Sequence, residues 1–208
     1  MFSTVEEALK ELSAGKMIVL LDDEDRENEG DLIMAAEHCT PEKMAFFIRY
    51  TGGVVFLALS NEIADKLDLP PMVINNTSER KTAFTVSIDA AEGISTGISA
   101  VDRSKTAQIA INPNSKPTDL VRPGHLFPLR ALDGGVLVRN GHTESSVDLC
   151  KLAGLRAGAI GSELMNDDGT LMRLPELTEF ARKNNLLLLT VADVVAYRQS
   201  PSLPGVTK

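Results

Sequence analysis

Only two cysteines occur, Cys39 and Cys150, far apart in the chain, so there is no disulfide framework, and a reducing, cytoplasmic setting is expected. No apolar run approaches the roughly 20 residues of a membrane-spanning helix. The first residues, Met1-Phe2-Ser3-Thr4-Val5-Glu6-Glu7, lack the basic and apolar regions of a signal peptide. Basic surplus is missing too: 21 Lys and Arg stand against 29 Asp and Glu, a net charge of −8 with a pI near 4.9. That balance excludes broad nucleic-acid binding, which needs a positive surface. It leaves room for a small phosphorylated substrate, because one arginine dominates at short range. Repeats and linkers are absent as well. With 208 residues, 43% hydrophobic content and a mean hydropathy of −0.01, the chain suits one domain with a real core.

What is present is concentrated. The ten residues Asp22-Asp23-Glu24-Asp25-Arg26-Glu27-Asn28-Glu29-Gly30-Asp31 hold seven carboxylates against one arginine. Apolar segments flank them, Met17 to Leu21 before and Leu32 to Ala36 after, and both read as short buried strands. Carboxylates crowded at a strand end repel one another. Hydration offsets this if the loop is a solvated turn; a hard divalent cation such as Mg2+ or Mn2+ offsets it if the loop is held inward. The stretch alone supports either.

Around this unit, helices and strands alternate. Thr4 and Glu7 form a capping box ahead of an apolar stripe at Val5, Ala8, Leu9 and Leu12, and Gly15 stops that helix. Thr40-Pro41 opens a second helix, which Gly52-Gly53 ends. A strand is expected over 54–59, then a short helix capped by Asn61, a loop over 70–82, and a strand over 83–89. Gly93 to Ser99 leads into a helix from Ala100 to Ile111, either as an anion-binding entry or as a turn capped by Ser99. The stretch 112–128 is rich in proline and polar residues, and prolines on both sides of His125 restrict its backbone. Gly135 to Val138 reads as a strand and a helix starts at Thr143. Strands follow over 157–165 and 186–191, with helices over 175–184 and 192–199 and a frayed tail from Ser200.

Four polar elements fall at strand ends or helix starts: the acidic loop, His125, the segment Arg139 to Thr143, and Glu163. Arg139 with the helix start at Thr143 can make a phosphate site, although a plain surface arginine fits the same pattern. His142 suits either a metal ligand or a cap. Glu163 sits in an apolar strand after Ile160-Gly161-Ser162, where burial would raise its pKa for proton transfer, unless a salt bridge holds it.

These segments, together with Arg122-Pro123-Gly124-His125, Gly141-His142-Thr143-Glu144 and Glu163 to Thr170, closely resemble 3,4-dihydroxy-2-butanone 4-phosphate synthases, in the same order from about residue 4 to residue 199. The resemblance implies an α/β domain of the α+β type, a single three-layer unit with a mixed sheet flanked by helices and no fused GTP cyclohydrolase II domain. It implies conversion of D-ribulose 5-phosphate to formate and L-3,4-dihydroxy-2-butanone 4-phosphate by a homodimer using two Mg2+ (or Mn2+) ions. By resemblance, Glu27 and His142 hold the metals, with Glu27 shared. Arg26, Glu27, Asp31, Arg139, Asn140, Gly141, His142 and Thr143 contact substrate, and Glu163 contacts it while acting in catalysis with His125. The chain departs from the common family pattern at Ser162, at Asn140 and in the loop Glu79-Arg80-Lys81. Two other readings of the residues stay open: a different metal-dependent sugar-phosphate isomerase or aldolase, and a non-catalytic sugar-phosphate or nucleotide-binding module.

Overall fold

In a computed structural model that describes residues 2–200, the apolar segments become strands buried on both faces. In β1 (Ile18–Leu21), Ile18 and Leu20 enter one core while Val19 and Leu21 enter another. β2 (Gly30–Ala35) divides in the same way, Leu32 and Met34 against Ile33 and Ala35. Period-two alternation with two buried faces is why these strands read as unbroken apolar runs. The remaining strands are β3 (Phe56–Leu59), β4 (Ile88–Ala90), β5 (Leu120–Arg130), β6 (Gly158–Glu163) and β7 (Leu187–Thr190). They form one sheet in the order β4-β5-β3-β6-β2-β1-β7. The sheet is mixed, since β1–β7 and β3–β5 pair parallel while the other neighbours pair antiparallel.

Helices cover both faces, giving three layers. α2 (Pro41–Tyr50), α3 (Asn61–Lys66), α4 (Ala100–Ile111) and α6 (Leu174–Asn184) pack on the first core through Met44, Phe47, Ala64, Ala107 and Leu177. α1 (Val5–Ser13), α5 (His142–Leu152) and α7 (Val191–Gln199) pack on the second through Leu12, Val147, Leu149 and Val194. The expected class is therefore observed. No helix among the described residues is long and apolar enough to cross a membrane.

Several local expectations need correction. Gly135 to Val138 is not a strand but a 3-10 turn at Gly135–Leu137. Gly134 and Gly135 take φ of +93° and +64°, and a side chain at Gly135 would collide with the Asp148 carboxylate. That carboxylate accepts the Val136 N–H at 2.9 Å and pairs with Arg198 at 2.5 Å, so tertiary bonds replace a ladder. Of 83–89 only the end is regular; Phe84 and Thr85 form isolated bridges. The proline-rich stretch runs into the 11-residue β5, which starts at Leu120 and ends at Arg130. β3 is bonded through the Phe127 N–H to Val55 O (3.4 Å), so the N–H that Pro128 lacks falls on the other edge, where no full ladder runs. Ser60, not Asn61, caps α3, and α2 ends at Tyr50, ahead of Gly52-Gly53. α5 begins one residue earlier than expected, with Gly141 as its N-cap. The frayed tail expected from Ser200 lies, beyond residue 200, outside the described residues.

Candidate active site

The acidic loop is held inward. Asp22, buried at the end of β1, accepts the Glu29 N–H at 3.0 Å with one oxygen. Its other oxygen takes the Glu27 N–H at 3.1 Å and Arg26 Nη1 at 2.7 Å. From α6, the N-cap residue Arg173 donates to the Glu27 carbonyl at 3.0 Å. A loop bonded at both its base and its tip does not splay freely; Asp23, Glu24 and Asp25 meet water, while Asp22 and Glu27 turn toward His142 at the start of α5. β2 then sets Asp31 directly opposite Glu163 of β6. Like charges opposite one another across a ladder destabilise a sheet, and the groups respond. Burial, then Glu163 and the neighbouring loop carboxylates, raise the Asp31 pKa well above its usual value. Burial first, then Glu163, Glu27 and Asp22, push Glu29 up to about 7. Glu163 is raised mainly by burial, and no cation pairs with it among the described residues, so the salt-bridge alternative fails.

His142 is the first residue of α5 and is buried. Burial lowers its pKa to about 4, so near neutral pH the imidazole is uncharged. Nε2 lies 3.1 Å from the Leu20 carbonyl, which can only accept, so Nε2 carries the proton and Nδ1 keeps its lone pair. A neutral imidazole with one nitrogen fixed by a carbonyl is the form that ligates metals. One ligand atom each from His142, Glu27 and Asp22 lie within 4.8 Å of one another. Asp31 Oδ1 is buried and has no hydrogen-bond partner among the described residues. An orphaned carboxylate oxygen, a neutral histidine and excess negative charge suit one or more hard divalent cations.

Two guanidiniums border this cluster. Gly141 has no side-chain cap, and a Cβ there would collide with Arg139 Nη1 and crowd Arg26 Nη2. Glycine thus lets both cations approach the free N–H groups at the start of α5, where Thr143 is buried. Arg139 is no free surface arginine: Nη1 donates to buried Glu144 at 2.6 Å and Nη2 to Thr82 Oγ1 at 3.1 Å. Asn140 is exposed beside them. Arg26, Glu27, Asp31, Arg139, His142, Thr143 and Glu163 together line one cavity of about 120 Å³. A larger one of about 580 Å³ opens beside it, sharing Glu27, Thr82 and Phe84, and is walled by the loop that carries Arg80.

His125 is not brought into that cavity. It sits on β5, its ring Nδ1 2.7 Å from Asp89 Oδ2 and its side chain 43% exposed. Sequence reasoning missed Asp22, Glu144 and Thr82 as site-shaping residues. For Asp22 a signal existed, since it opens the acidic run where an apolar strand ends. Glu144 appeared only inside a motif, and nothing local marks Thr82. Cys39 and Cys150 are free and buried, burial pushing each thiol up to about 12, so neither is a nucleophile here.

Carboxylates of raised pKa, a neutral histidine and paired arginines at a helix start define an acid–base enzyme of a small anionic substrate, built on a three-layer mixed sheet. Comparison makes that class particular. The family model of 3,4-dihydroxy-2-butanone 4-phosphate synthase matches residues 6–197. The synthase of that name from Pasteurella multocida (strain Pm70) is 56% identical, over 92% of this chain and 90% of its own length. A protein named riboflavin biosynthesis protein RibBA, from Salinispora arenicola (strain CNS-205), is 54% identical over 95% of this chain but only 47% of its own, so the chain spans about half of such longer relatives. A crystal structure of 3,4-dihydroxy-2-butanone 4-phosphate synthase in complex with two magnesium ions superposes with a TM-score of 0.94 at 41% identity, covering 95% of this chain and 97% of that one. The chain belongs to the 3,4-dihydroxy-2-butanone 4-phosphate synthase family, whose reaction converts ribulose 5-phosphate in riboflavin biosynthesis.

Proposed function

We propose that this chain converts D-ribulose 5-phosphate to L-3,4-dihydroxy-2-butanone 4-phosphate and formate, in the cytoplasm, as a homodimer loaded with two Mg2+ or Mn2+ ions. One observation carries the reading: Glu27, His142, Asp31 and Glu163 converge beside Arg26 and Arg139 in a single cavity. Glu27 and His142 would hold the ions, with Asp22 completing the set. Bound there, divalent cations act as Lewis acids toward adjacent substrate oxygens, stabilising developing negative charge by several kcal/mol.

The chain's own residues divide the remaining work. Arg139, anchored by Glu144, and the N–H groups at Thr143 grip the phosphate, the part that does not react. Glu163, its pKa raised mainly by burial and its carboxylate without a cation partner, is the acid–base group that gives and takes protons. Asp31, opposite it across the ladder, is a group placed to share that proton. Phe56, Phe84 and Leu129 line the same cavity and keep bulk water from the reacting carbons. His125 supplies a second proton carrier, and it does so from the other subunit: it is held outside the cavity of its own chain. Exposed apolar side chains at Ile98, Val101 and Val121 surround the segments that hold it, which supports a covered surface.

Formate release from ribulose 5-phosphate and Mg2+ tests the reaction and separates it from isomerase, aldolase and simple binding. Mixing inactive His125→Ala and Glu163→Gln proteins tests the shared site. Recovery of activity on mixing is expected, because a mixed dimer regains one intact site; persistent inactivity in a proven heterodimer overturns the arrangement.

A further inference from the structure

The tip of the acidic loop is held from two sides. The amides from Arg26 to Glu29 all turn inward. Those of Arg26 and Asn28 donate to the Asp23 carbonyl at 2.9 and 3.2 Å, and those of Glu27 and Glu29 to the Asp22 carboxylate. Three successive carbonyls face the other way, and each accepts from a guanidinium. Arg173 takes those of Glu27 and Asn28, and Arg80 takes that of Arg26. Asn28 turns the chain there at a φ of +53°, a region that asparagine tolerates. Arg80 comes from the loop Glu79-Arg80-Lys81, one of the places where the chain departs from the common family pattern. Its surroundings are closed on themselves. Asn76 Nδ2 donates to the Thr82 carbonyl at 2.9 Å, and Asn76 Oδ1 accepts the Ser78 N–H at 3.0 Å. Lys81 Nζ donates to the Asn76 carbonyl at 2.8 Å. Lys81 has a φ of +54°, a conformation that a non-glycine residue keeps only where its surroundings fix it. The same segment reaches the phosphate grip, since Arg139 Nη2 donates to the Arg80 carbonyl at 3.3 Å and to Thr82 Oγ1 at 3.1 Å.

We infer that Arg80 is a positioning residue for Glu27: presented by the closed segment 76–82, it fixes the Arg26 carbonyl, so that the Glu27 carboxylate is held toward a divalent cation and the acidic loop is tied to the Arg139 grip. The inference rests on the reading of Glu27 as a metal ligand. What Arg80 grips separates this role from a surface ion pair. Its Nε lies 4.0 Å from Glu27 Oε1, beyond hydrogen-bond distance, whereas its Nη2 bonds the neighbouring peptide oxygen. Arg26 bonds the other carboxylate oxygen, Oε2. A guanidinium on Oε1 would compete with a metal ion; one on the backbone does not. Exposed ion pairs contribute little to stability, while the outer partners of a metal ligand set its affinity.

Two measurements without substrate come first: Mn2+ binding, followed by the EPR signal of the free ion, and amide exchange over residues 26–29. Arg80→Met keeps the long stem but has no donor. It should raise the Mn2+ Kd about 10- to 100-fold, the range for losing an outer partner of a metal ligand, and speed exchange of those amides. The Arg80 side chain is 40% exposed, so the variant should melt with the parent. Arg80→Lys, which can still donate to the Arg26 carbonyl, should recover part of the affinity. Asn76→Ala opens the base of the segment and leaves Arg80 in place, so it should loosen the same amides more weakly. With Mn2+ saturating, the KM of Arg80→Met for ribulose 5-phosphate should return toward the parent's. A Kd for Mn2+ within about threefold of the parent's, below the range for an outer partner, overturns the inference. A sugar-phosphate KM raised at every Mn2+ level, with parent-like Mn2+ binding, overturns it too and makes Arg80 a substrate ligand. If the parent itself binds no Mn2+, the reading of Glu27 as a metal ligand has failed, and exchange alone decides on Arg80. Parent-like rates over residues 26–29 in Arg80→Met then overturn its positioning role.

Discussion

The acidic loop and the β4–β5 edge both present proton-carrying groups, yet they are built on opposite terms. At the loop, carboxylates crowd one place and some are left short of partners: Asp31 Oδ1 has none and Glu163 has no cation, while His142 beside them is stripped of charge. At the edge, His125 is half exposed and its carboxylate is used at both oxygens. The first region is unfinished without an added positive charge. The second is finished within the chain and lacks only something to act upon. A site assembled from both keeps its binding cost in the loop and its precision at the edge.

Breaking the loop side should have the largest effect. Stripping divalent cations with excess chelator should abolish formate production, and Mg2+ or Mn2+ should restore it. The same titration should raise the melting temperature, because a ligand that binds only the folded state stabilises it by about 2.7 kcal/mol at a hundred times its Kd. Full turnover in verified absence of metal would show that the carboxylates do not need a cation. Glu163→Gln keeps the shape of the side chain but carries no proton, so kcat should drop at least ~10²-fold. Calorimetry with Mg2+ present should find substrate affinity within about tenfold of the parent.

The guanidiniums sharpen the contrast, since they bind and do not react. Arg139→Ala removes a charge-assisted bond worth roughly 1.5–3 kcal/mol, so KM should rise about 10- to 150-fold while kcat falls much less. Glu144→Gln should act in the same direction and more weakly, because Arg139 keeps its bond to Thr82. A larger effect on kcat than on KM in either variant would place the arginine in the chemistry.

The smallest expected effect is on stability. A carboxylate whose folded pKa is raised stabilises the fold below its unfolded value and loses that contribution as pH rises through the folded value. For Glu29 the window runs from 4.5 to about 7, and Asp31 and Glu163 act in the same direction. His142 works oppositely, its stabilisation present above 6.5 and lost as pH falls toward about 4. Between pH 6.5 and 8, therefore, only the carboxylates act. The metal-free protein should melt lower at pH 8 than at pH 6.5, and saturating Mg2+ should flatten the difference. A flat curve without metal would mean that the loop relaxes into water.

Much of this was legible because local chemistry and global fold agree. The Thr4–Glu7 box caps α1, Ser99 caps α4, and α4 runs from Ala100 to Ile111 as its pattern indicates. Where reading failed, a distant residue had overruled a local preference. Gly135-Val136-Leu137 has the composition of a strand, but Asp148 on α5, itself paired with Arg198 of α7, binds it as a turn. The residues around Pro128 have the composition of a loop, but β3 recruits Phe127 to Arg130 into a sheet.

The division follows from range. Residue types, spacing and the runs around Asp22–Asp31, His125, His142 and Glu163 decided the chemistry available, because apolar periodicity and charge are properties of neighbours along the chain. Only the folded chain decided which of those groups share a cavity. Strand order places β6 beside β2, so Glu163 faces Asp31, and buries both where charge is costly. The same order leaves His125 on a different edge with Asp89. Those placements depend on register and burial between segments far apart in the chain, 36 residues for His125 and Asp89 and more than a hundred for Asp31 and Glu163, and no local pattern encodes them.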